Sequence, residues 1–296
     1  MHIRRTLSEL WNGYKRSREF LSKSPKTQKC YAEMMVMPLR YFRGYMVTYG
    51  DDKKRLTGAA VDRYISYRLS CPSRQGGTIA ASTVQKELVV CSNSVRYAKK
   101  REYLEIPNPF IDANIVNHAA PRDVVLPRNM DGELLMALPH PARDIVEFAL
   151  ETGFRKGEIL ALTFERIRVR NEGGVLKHFV EFAPGDQKSR RAGVRALSAR
   201  AVEIVKSQGR NTGPVFTQDG GRVRETWLRF RFERALKIIG LDDFTFHDLR
   251  HTFFTRKWEE GRPLQGLAEQ AGHSTIRTLE RVYVQRSGES AWNAIN

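Results

Sequence analysis

The residues best suited to chemistry lie in one short stretch, HDLRH, at positions 247–251. His247 and Arg250 are three residues apart, which would place them side by side on the first turn of a helix. A helix N-terminus exposes free backbone N–H groups and the positive end of the helix dipole, so an arginine and a histidine there form a site for an anion such as phosphate. For HDLRH alone a structural role is more common, with packed histidines and a surface ion pair made by Arg250.

The helix that carries this stretch is predicted from its own start signal. Thr245 and Asp248 have the spacing of a capping box, so we expect the helix to begin at Phe246. Its apolar residues would anchor it in a core, namely Leu249, Phe253 and Phe254. A metal site is the weaker alternative, because neither an HExxH motif nor a Cys/His set accompanies His247, Asp248 and His251.

Three further segments contain residue types that gain meaning only in combination. In ETGFRKGEILAL, Arg155 follows a predicted helix end, and Glu158 can orient its guanidinium by charge-assisted hydrogen bonds. Lys188 lies in the turn GDQKSRRAG between two predicted strands. In AGHSTIRTLERVY, His273 follows one helix and a second helix leads to Tyr283. Each of these residues alone more often has a solvated or packing role.

The composition of the chain points to a polyanionic partner. Fifty Lys and Arg residues against 33 Asp and Glu give a formal net charge of +17 and a pI near 10.0. The excess is larger in residues 1–126, which hold 22 basic and 11 acidic residues. Such a charge favours nucleic acid as the partner, although a merely solvated basic surface would have the same composition.

Cysteine usage and hydropathy exclude two other classes of protein. Cys30, Cys71 and Cys91 are an odd number without CxxC spacing, so the sequence supports neither a disulfide framework nor a zinc site. The opening residues MHIRRTLSELWNGYKR lack the apolar core that a signal peptide would have, and no apolar run approaches the ~20 residues that span a bilayer, so we expect neither a signal peptide nor a membrane span. We therefore expect a soluble protein of the cytoplasm.

The periodicity of the chain predicts two domains, as its length of 296 residues also does at ~150 residues for each domain. Residues 5–105 have apolar residues at the spacing of about four helices. Four prolines between Ile106 and Pro127 then indicate an extended linker. We predict a helical domain over 1–110, a linker over 111–127 and a second domain over 128–296.

The second domain is predicted to be mainly helical with one small sheet. A helix ends at Gly153, and another starts with RKGEILALTFERI. IRVR, VLKHFVEF and the strand after the Lys188 turn then have the period of a three-stranded antiparallel sheet. Helices return in WLRFRFERALKII, FHDLRHTFFTRKWEEG and PLQGLAEQAG. The fold class is therefore mainly α with a small antiparallel β-sheet.

The chain resembles the tyrosine recombinases, or phage-type integrases, in four motifs and in their order. These are TGFRKGEILAL, a lysine in a predicted strand turn, HDLRHTF, and GHS followed by a tyrosine. The resemblance covers about Arg128 to Tyr283, and ELVVCSNSVRYAKKREYLEIPNPF resembles the end of the family's helical core-binding domain. It implies a SAM-like N-terminal domain and an α+β catalytic domain that close as a clamp around double-stranded DNA. It also implies a homo-tetramer on paired sites, with a monomer or dimer away from DNA.

Carried over residue by residue, the resemblance implies an enzyme that cuts and rejoins DNA through a 3′-phosphotyrosyl link, with no metal, ATP or other cofactor. Two forked guanidinia suit the charge that develops on phosphate oxygens, and a phenol with a pKa near ~10 needs a base or cationic surroundings to attack. The implied roles are phosphate clamps for Arg155 and Arg250, a proton donor in Lys188, a supporting pair in His247 and His273, the nucleophile in Tyr283, and further support from Glu158 and His251.

Three other functions remain compatible with the sequence at this point. Type IB topoisomerases and telomere resolvases use the same tyrosine chemistry, and a DNA-binding regulator without catalysis would share the fold. The complete set of six implied catalytic residues argues against the regulator.

Overall fold

The structure is a computed structural model in which the described residues are 5–47, 55–73, 76–101, 106–111, 113, 115, 124–183 and 193–272. The chain divides into two compact units, Met1–Ala120 and Pro121–Asn296. Most of the predicted linker lies outside the described residues, so the predicted domain bounds remain predictions. Within the described residues, no helix is long and apolar enough to cross a membrane.

The described part of the first unit consists of helices joined by turns and isolated bridges. The helices are α1 (Leu7–Lys15), α2 (Arg18–Leu21), α3 (Pro25–Tyr41), α4 (Gly58–Ser70) and α5 (Ala81–Arg101). The apolar spacing in LSELWNGYKRSREFL, residues 7–21, predicts a single helix where α1 and α2 lie. The break occurs because the Ser17 hydroxyl accepts a hydrogen bond from the Phe20 N–H at 3.1 Å and starts a new helix there.

A buried polar cluster joins α4 to α5 in this unit. The Glu87 carboxylate accepts two hydrogen bonds from the Arg68 guanidinium, at 3.0 and 2.6 Å, and one from the Tyr64 hydroxyl at 2.5 Å. All three side chains are buried. A buried carboxylate is tolerated only when it is paired and hydrogen-bonded in this way.

The second unit is mainly helical with small antiparallel sheets, which confirms the predicted fold class, although the sequence predicted one sheet and the described residues form two. The helices are α6 (Asp131–Met136), α7 (Ala142–Thr152), α8 (Lys156–Leu160), α9 (Ala199–Ser207), α10 (Glu225–Ile238), α11 (Phe246–Glu259) and α12 (Leu264–Ala271). The strands are β1 (Ile167–Glu172), β2 (Val175–Phe182), β3 (Gly193–Ala196), β4 (Thr217–Gln218) and β5 (Gly221–Arg222).

The predicted three-stranded sheet is confirmed, with antiparallel order β1-β2-β3. Val180 at its centre pairs with Ile167 on one side and with Arg195 on the other. Because side chains alternate along a strand, this register turns Val180, Phe182 and Arg195 toward the same face, and all three are buried. The sheet therefore carries an arginine in its core-facing layer.

Two helices of the second unit differ from the prediction. The helix expected over RKGEILALTFERI ends at Leu160, because the Phe164 N–H donates to the Gly213 carbonyl and the Leu162 carbonyl accepts from Val215. These long-range backbone bonds replace the helical ones. The second difference is α9, which sequence periodicity missed. It starts where the Ser198 hydroxyl accepts from the Ala201 N–H.

Helix α7 lies at the centre of the second unit and packs against α6, α8, α9, α10 and α11. Its buried face contains Ile145, Val146, Phe148 and Ala149. As predicted, it ends at Gly153, which has a left-handed φ of 66°. The turn at Gly153 brings the chain against α11, where Phe253 and Phe254 face the glycine.

We predict that Gly153→Ala destabilises the protein by about 2 to 4 kcal/mol, from a strained positive φ and from overpacking. A Cβ at this position would lie 2.9 Å from Cε2 of Phe254 and closer still to the Phe253 ring. Chemical denaturation measures the change in the free energy of unfolding. Gly157→Ala is the matched control, since its Cβ would meet nothing within 4 Å, and an equal loss in both variants would contradict the explanation.

Candidate active site

Arg155 is positioned by the turn that starts α8. Its backbone N–H donates to Oε2 of Glu158 at 2.8 Å, and its Nη1 donates to Oε1 of the same carboxylate at 3.0 Å. The predicted contact between Arg155 and Glu158 is thus present. The Arg155 side chain remains 30% exposed while the Glu158 side chain is buried. The buried carboxylate therefore orients the guanidinium, and the exposed part of the guanidinium remains accessible.

Arg250 is held by backbone carbonyls at the ends of two other helices. Its Nη1 donates to the Gly153 oxygen at 2.6 Å and its Nη2 to the Ala271 oxygen at 2.7 Å. The guanidinium also stacks over the Phe254 ring, 4.9 Å from the ring centroid. These two acceptors are neutral, so they orient the group without cancelling its charge.

The start of α11 follows the predicted capping box. The Asp248 carboxylate accepts hydrogen bonds from the Thr245 N–H at 2.6 Å and from the Thr245 hydroxyl at 2.8 Å. The helix begins at Phe246, as expected. The cap fixes the first turn, and with it the positions of His247 and Arg250.

Arg155, His247 and Arg250 line one cavity of about 330 Å³. The other lining residues are Phe154, Lys156, Arg229, Phe232, Glu233, Phe244, Thr245 and Phe246. Lys156 forms an ion pair of 2.7 Å with Glu225, and Arg229 one of 3.8 Å with Glu233. The lining thus combines cationic groups with four phenylalanine rings, and the cationic groups suit an oxyanion.

His247 is exposed to solvent, and its imidazole is only partly covered by the protein. Partial burial lowers the pKa of its imidazole below the usual 6.5, and the positive charges of Arg250 and Arg155 lower it further, against the opposing effect of Asp248. A neutral imidazole at pH 7 can accept a proton. His251, one turn further along α11, is half-buried and adds to the same effect.

Two residues that help to form the site, Arg195 and Gln270, were not predicted from the sequence. Arg195 on β3 donates to Glu158 through Nη1 at 2.6 Å and Nη2 at 3.1 Å. Gln270 on α12 accepts from the Ala196 N–H and donates to the carbonyls of Thr152 and Ala196, all at 3.0 Å. The inward register of Arg195 on its strand was the available clue to a buried role.

Three of the implied catalytic residues, Lys188, His273 and Tyr283, lie outside the described residues. Lys188 falls in sequence between the end of β2 and the start of β3, and His273 comes two residues after Ala271, whose carbonyl binds Arg250. Within the described part of the chain, no group of three or more His, Cys, Asp or Glu residues is arranged to hold a metal ion.

Comparison with known proteins identifies the family. The model of the phage integrase family matches residues 130–289, which is more than half of the chain, and the chain belongs to this family. The resemblance inferred from the motifs is thereby confirmed.

Individual relatives agree with this assignment. The integrase of Salmonella phage P22 is 30% identical over 154 residues, which are 48% of this chain and 38% of that protein. The tyrosine recombinase XerC of Roseiflexus castenholzii is 25% identical over 223 residues, or 72% of this chain and 70% of that one. The match to the phage P22 integrase thus spans well under half of that relative's length.

A solved structure confirms the fold over both units. The Tn1549 transposon integrase in complex with transposon right end DNA has a TM-score of 0.70 at 17% identity, and the match covers 98% of each chain. The match extends over the N-terminal helical part and over the C-terminal part, which is mainly helical with small sheets, as predicted from the sequence.

We predict that His247 titrates below pH 6.5 and that Arg155→Met raises its pKa, because that variant removes one of the positive charges near the ring. NMR titration of the imidazole protons measures both values. The unfolded chain binds this proton more tightly than the folded chain, so acidification through about pH 6.5 should also lower the free energy of unfolding. A His247 pKa at or above 6.5 would contradict this account.

Proposed function

We propose that the protein is a site-specific DNA recombinase that cleaves and rejoins DNA strands through a 3′-phosphotyrosyl intermediate. The observation that carries the proposal is the convergence of Arg155, His247 and Arg250 on one cavity. Relatives named as integrases and tyrosine recombinases support the same reaction.

The two guanidinia are proposed to bind the non-bridging oxygens of the scissile phosphate. In phosphoryl transfer, negative charge on these oxygens must be stabilised in the transition state. Arg250 has its orientation fixed by two carbonyls, and Arg155 by one carboxylate. Preorganised donors of this kind need no rearrangement as the reaction proceeds, which is the condition for efficient electrostatic catalysis.

The cleavage of the DNA strand is proposed to involve Tyr283, Lys188 and His273, which lie outside the described part of the chain. The Tyr283 oxygen attacks the phosphorus, and its proton passes to a base, for which neutral His247 is the candidate. Lys188 donates a proton to the departing 5′ oxygen, since an alkoxide is too basic a leaving group to depart unprotonated. His273 supports the phosphate. Attack by another 5′-hydroxyl reverses the step, so no ATP is consumed.

The proposed partner is double-stranded DNA, bound by a chain with a net charge of +17. The similar Tn1549 and lambda integrases have been solved with DNA, the lambda protein as a dimer on a core site and as a tetramer on a Holliday junction. We infer by analogy that four copies of this chain assemble on paired sites and that the reaction takes place in the cytoplasm. Nothing about the relatives favours supercoil relaxation over recombination.

The decisive experiment uses nicked suicide duplexes that carry candidate sites, on which a cleaved strand cannot be religated. The wild-type protein should form a covalent band on a denaturing gel, and Tyr283→Phe should form none, because a phenyl ring has no nucleophile. Tyr67→Phe is the matched control, an exposed tyrosine of the first unit, and should keep the band. A band that persists in Tyr283→Phe would show that the nucleophile is wrong.

A further inference from the structure

Arg195 has an environment that its position in a small strand does not require. The side chain is almost completely buried, and its guanidinium lies 4.5 Å from the centroid of the Phe182 ring and 5.3 Å from that of Phe154. Its two Nη atoms both bind the buried carboxylate of Glu158. Burying such a pair is seldom a gain in stability over apolar residues of similar size, which points to a role in the site that Glu158 supports.

We propose that Arg195 is a positioning residue for phosphate binding, which acts through Glu158 to hold Arg155 in place and keep its positive charge available to the substrate. The inference rests on the proposed function, because it assigns Arg155 to the scissile phosphate. Arg195 itself does not line the cavity that contains Arg155.

Arg155 and Arg195 share the carboxylate of Glu158 as a hydrogen-bond acceptor. Each oxygen of Glu158 accepts one bond from Arg195 and one from Arg155, since Oε2 receives the Arg155 backbone N–H and Oε1 receives its Nη1. Of the three nitrogens of the Arg155 guanidinium, Nη1 is the one that donates a hydrogen bond to a described residue. The remaining N–H groups of a planar fork are then directed away from Glu158 and can bind phosphate.

The charges lead to the same conclusion. Glu158 with Arg155 alone would be a neutral pair that attracts a phosphate weakly, whereas the triad with Arg195 has a net charge of +1. Burial alone would raise the pKa of Glu158, but the bonds and charge of Arg195, with those of Arg155, hold it below its usual value. The Glu158 carboxylate therefore stays ionised and keeps its hydrogen bonds to Arg155.

Arg195 also links two parts of the catalytic unit. It lies on β3, the strand that comes after Lys188 in the sequence, while Glu158 lies on α8. The triad joins this strand to the helix that begins at Arg155. A change at Arg195 should therefore displace Arg155 even though the two side chains do not share a hydrogen bond.

The test is a double-mutant cycle on single-turnover cleavage of a suicide duplex at saturating protein. Arg195→Met should slow covalent adduct formation by about 10- to 100-fold, as a misplaced catalytic group does, while the Kd for DNA stays within about threefold. In an Arg155→Lys background the same substitution should cost less than about threefold, because its target is already lost. Arg195→Lys, which keeps the charge but not the fork, should give an intermediate rate.

Arg68→Met is the matched control, since Arg68 is similarly buried and binds Glu87 with two nitrogens in the first unit. It should lower Tm and leave the cleavage rate of bound DNA unchanged. Equal fold losses for Arg195→Met in both Arg155 backgrounds would overturn the positioning role and leave a structural one. Absence of any adduct with the wild-type protein would instead refute the proposed function, so the two failures are distinct.

Discussion

The two hydrogen bonds from Arg250 to backbone carbonyls are the constraint on which the candidate site depends. They join the start of α11 to the end of α7, through Gly153, and to the end of α12, through Ala271. Gln270 adds bonds from α12 to Thr152 and to the end of β3 at Ala196. Because each partner is a backbone atom at a helix end, Arg250 fixes the relative positions of the segments that carry the other site residues. A buried guanidinium is suited to this task, since it offers five donors in a rigid plane.

The same arrangement explains how the site concentrates positive charge while limiting the free-energy cost of burying it. Arg250 is solvated by carbonyl dipoles and an aromatic face, and Arg155 by a carboxylate that it shares with Arg195. Hydrogen bonding replaces the water that each guanidinium gives up, so the cost of burial is offset while a net positive charge remains. The pKa of His247 is lowered first by its partial burial and then by this concentration of positive charge. A cavity of this kind is complementary to an anion, and most of all to one whose charge grows during a reaction.

Local spacing in the sequence was sufficient to predict the features that depend on neighbours in the chain. The capping box at Thr245, the left-handed turn at Gly153 and the contact from Arg155 to Glu158 each involve residues no more than a few positions apart, and all three are present. The acceptors of Arg250 lie 97 and 21 residues away, and Arg195 is 37 residues from Glu158. The spacing of apolar residues along the sequence carries no information about contacts between residues so far apart. The early end of α8 has the same origin, because distant backbone groups compete for its hydrogen bonds.

The central claim, that Arg155 and Arg250 neutralise the scissile phosphate, is tested most directly by removing the charge from the DNA. A methylphosphonate at the scissile position replaces one charged oxygen with a methyl group. On ordinary DNA, Arg155→Met should slow cleavage by about 10²- to 10³-fold. On methylphosphonate DNA its rate should approach that of the wild-type protein, because there is little charge left to stabilise. An undiminished loss on the neutral substrate would contradict the account.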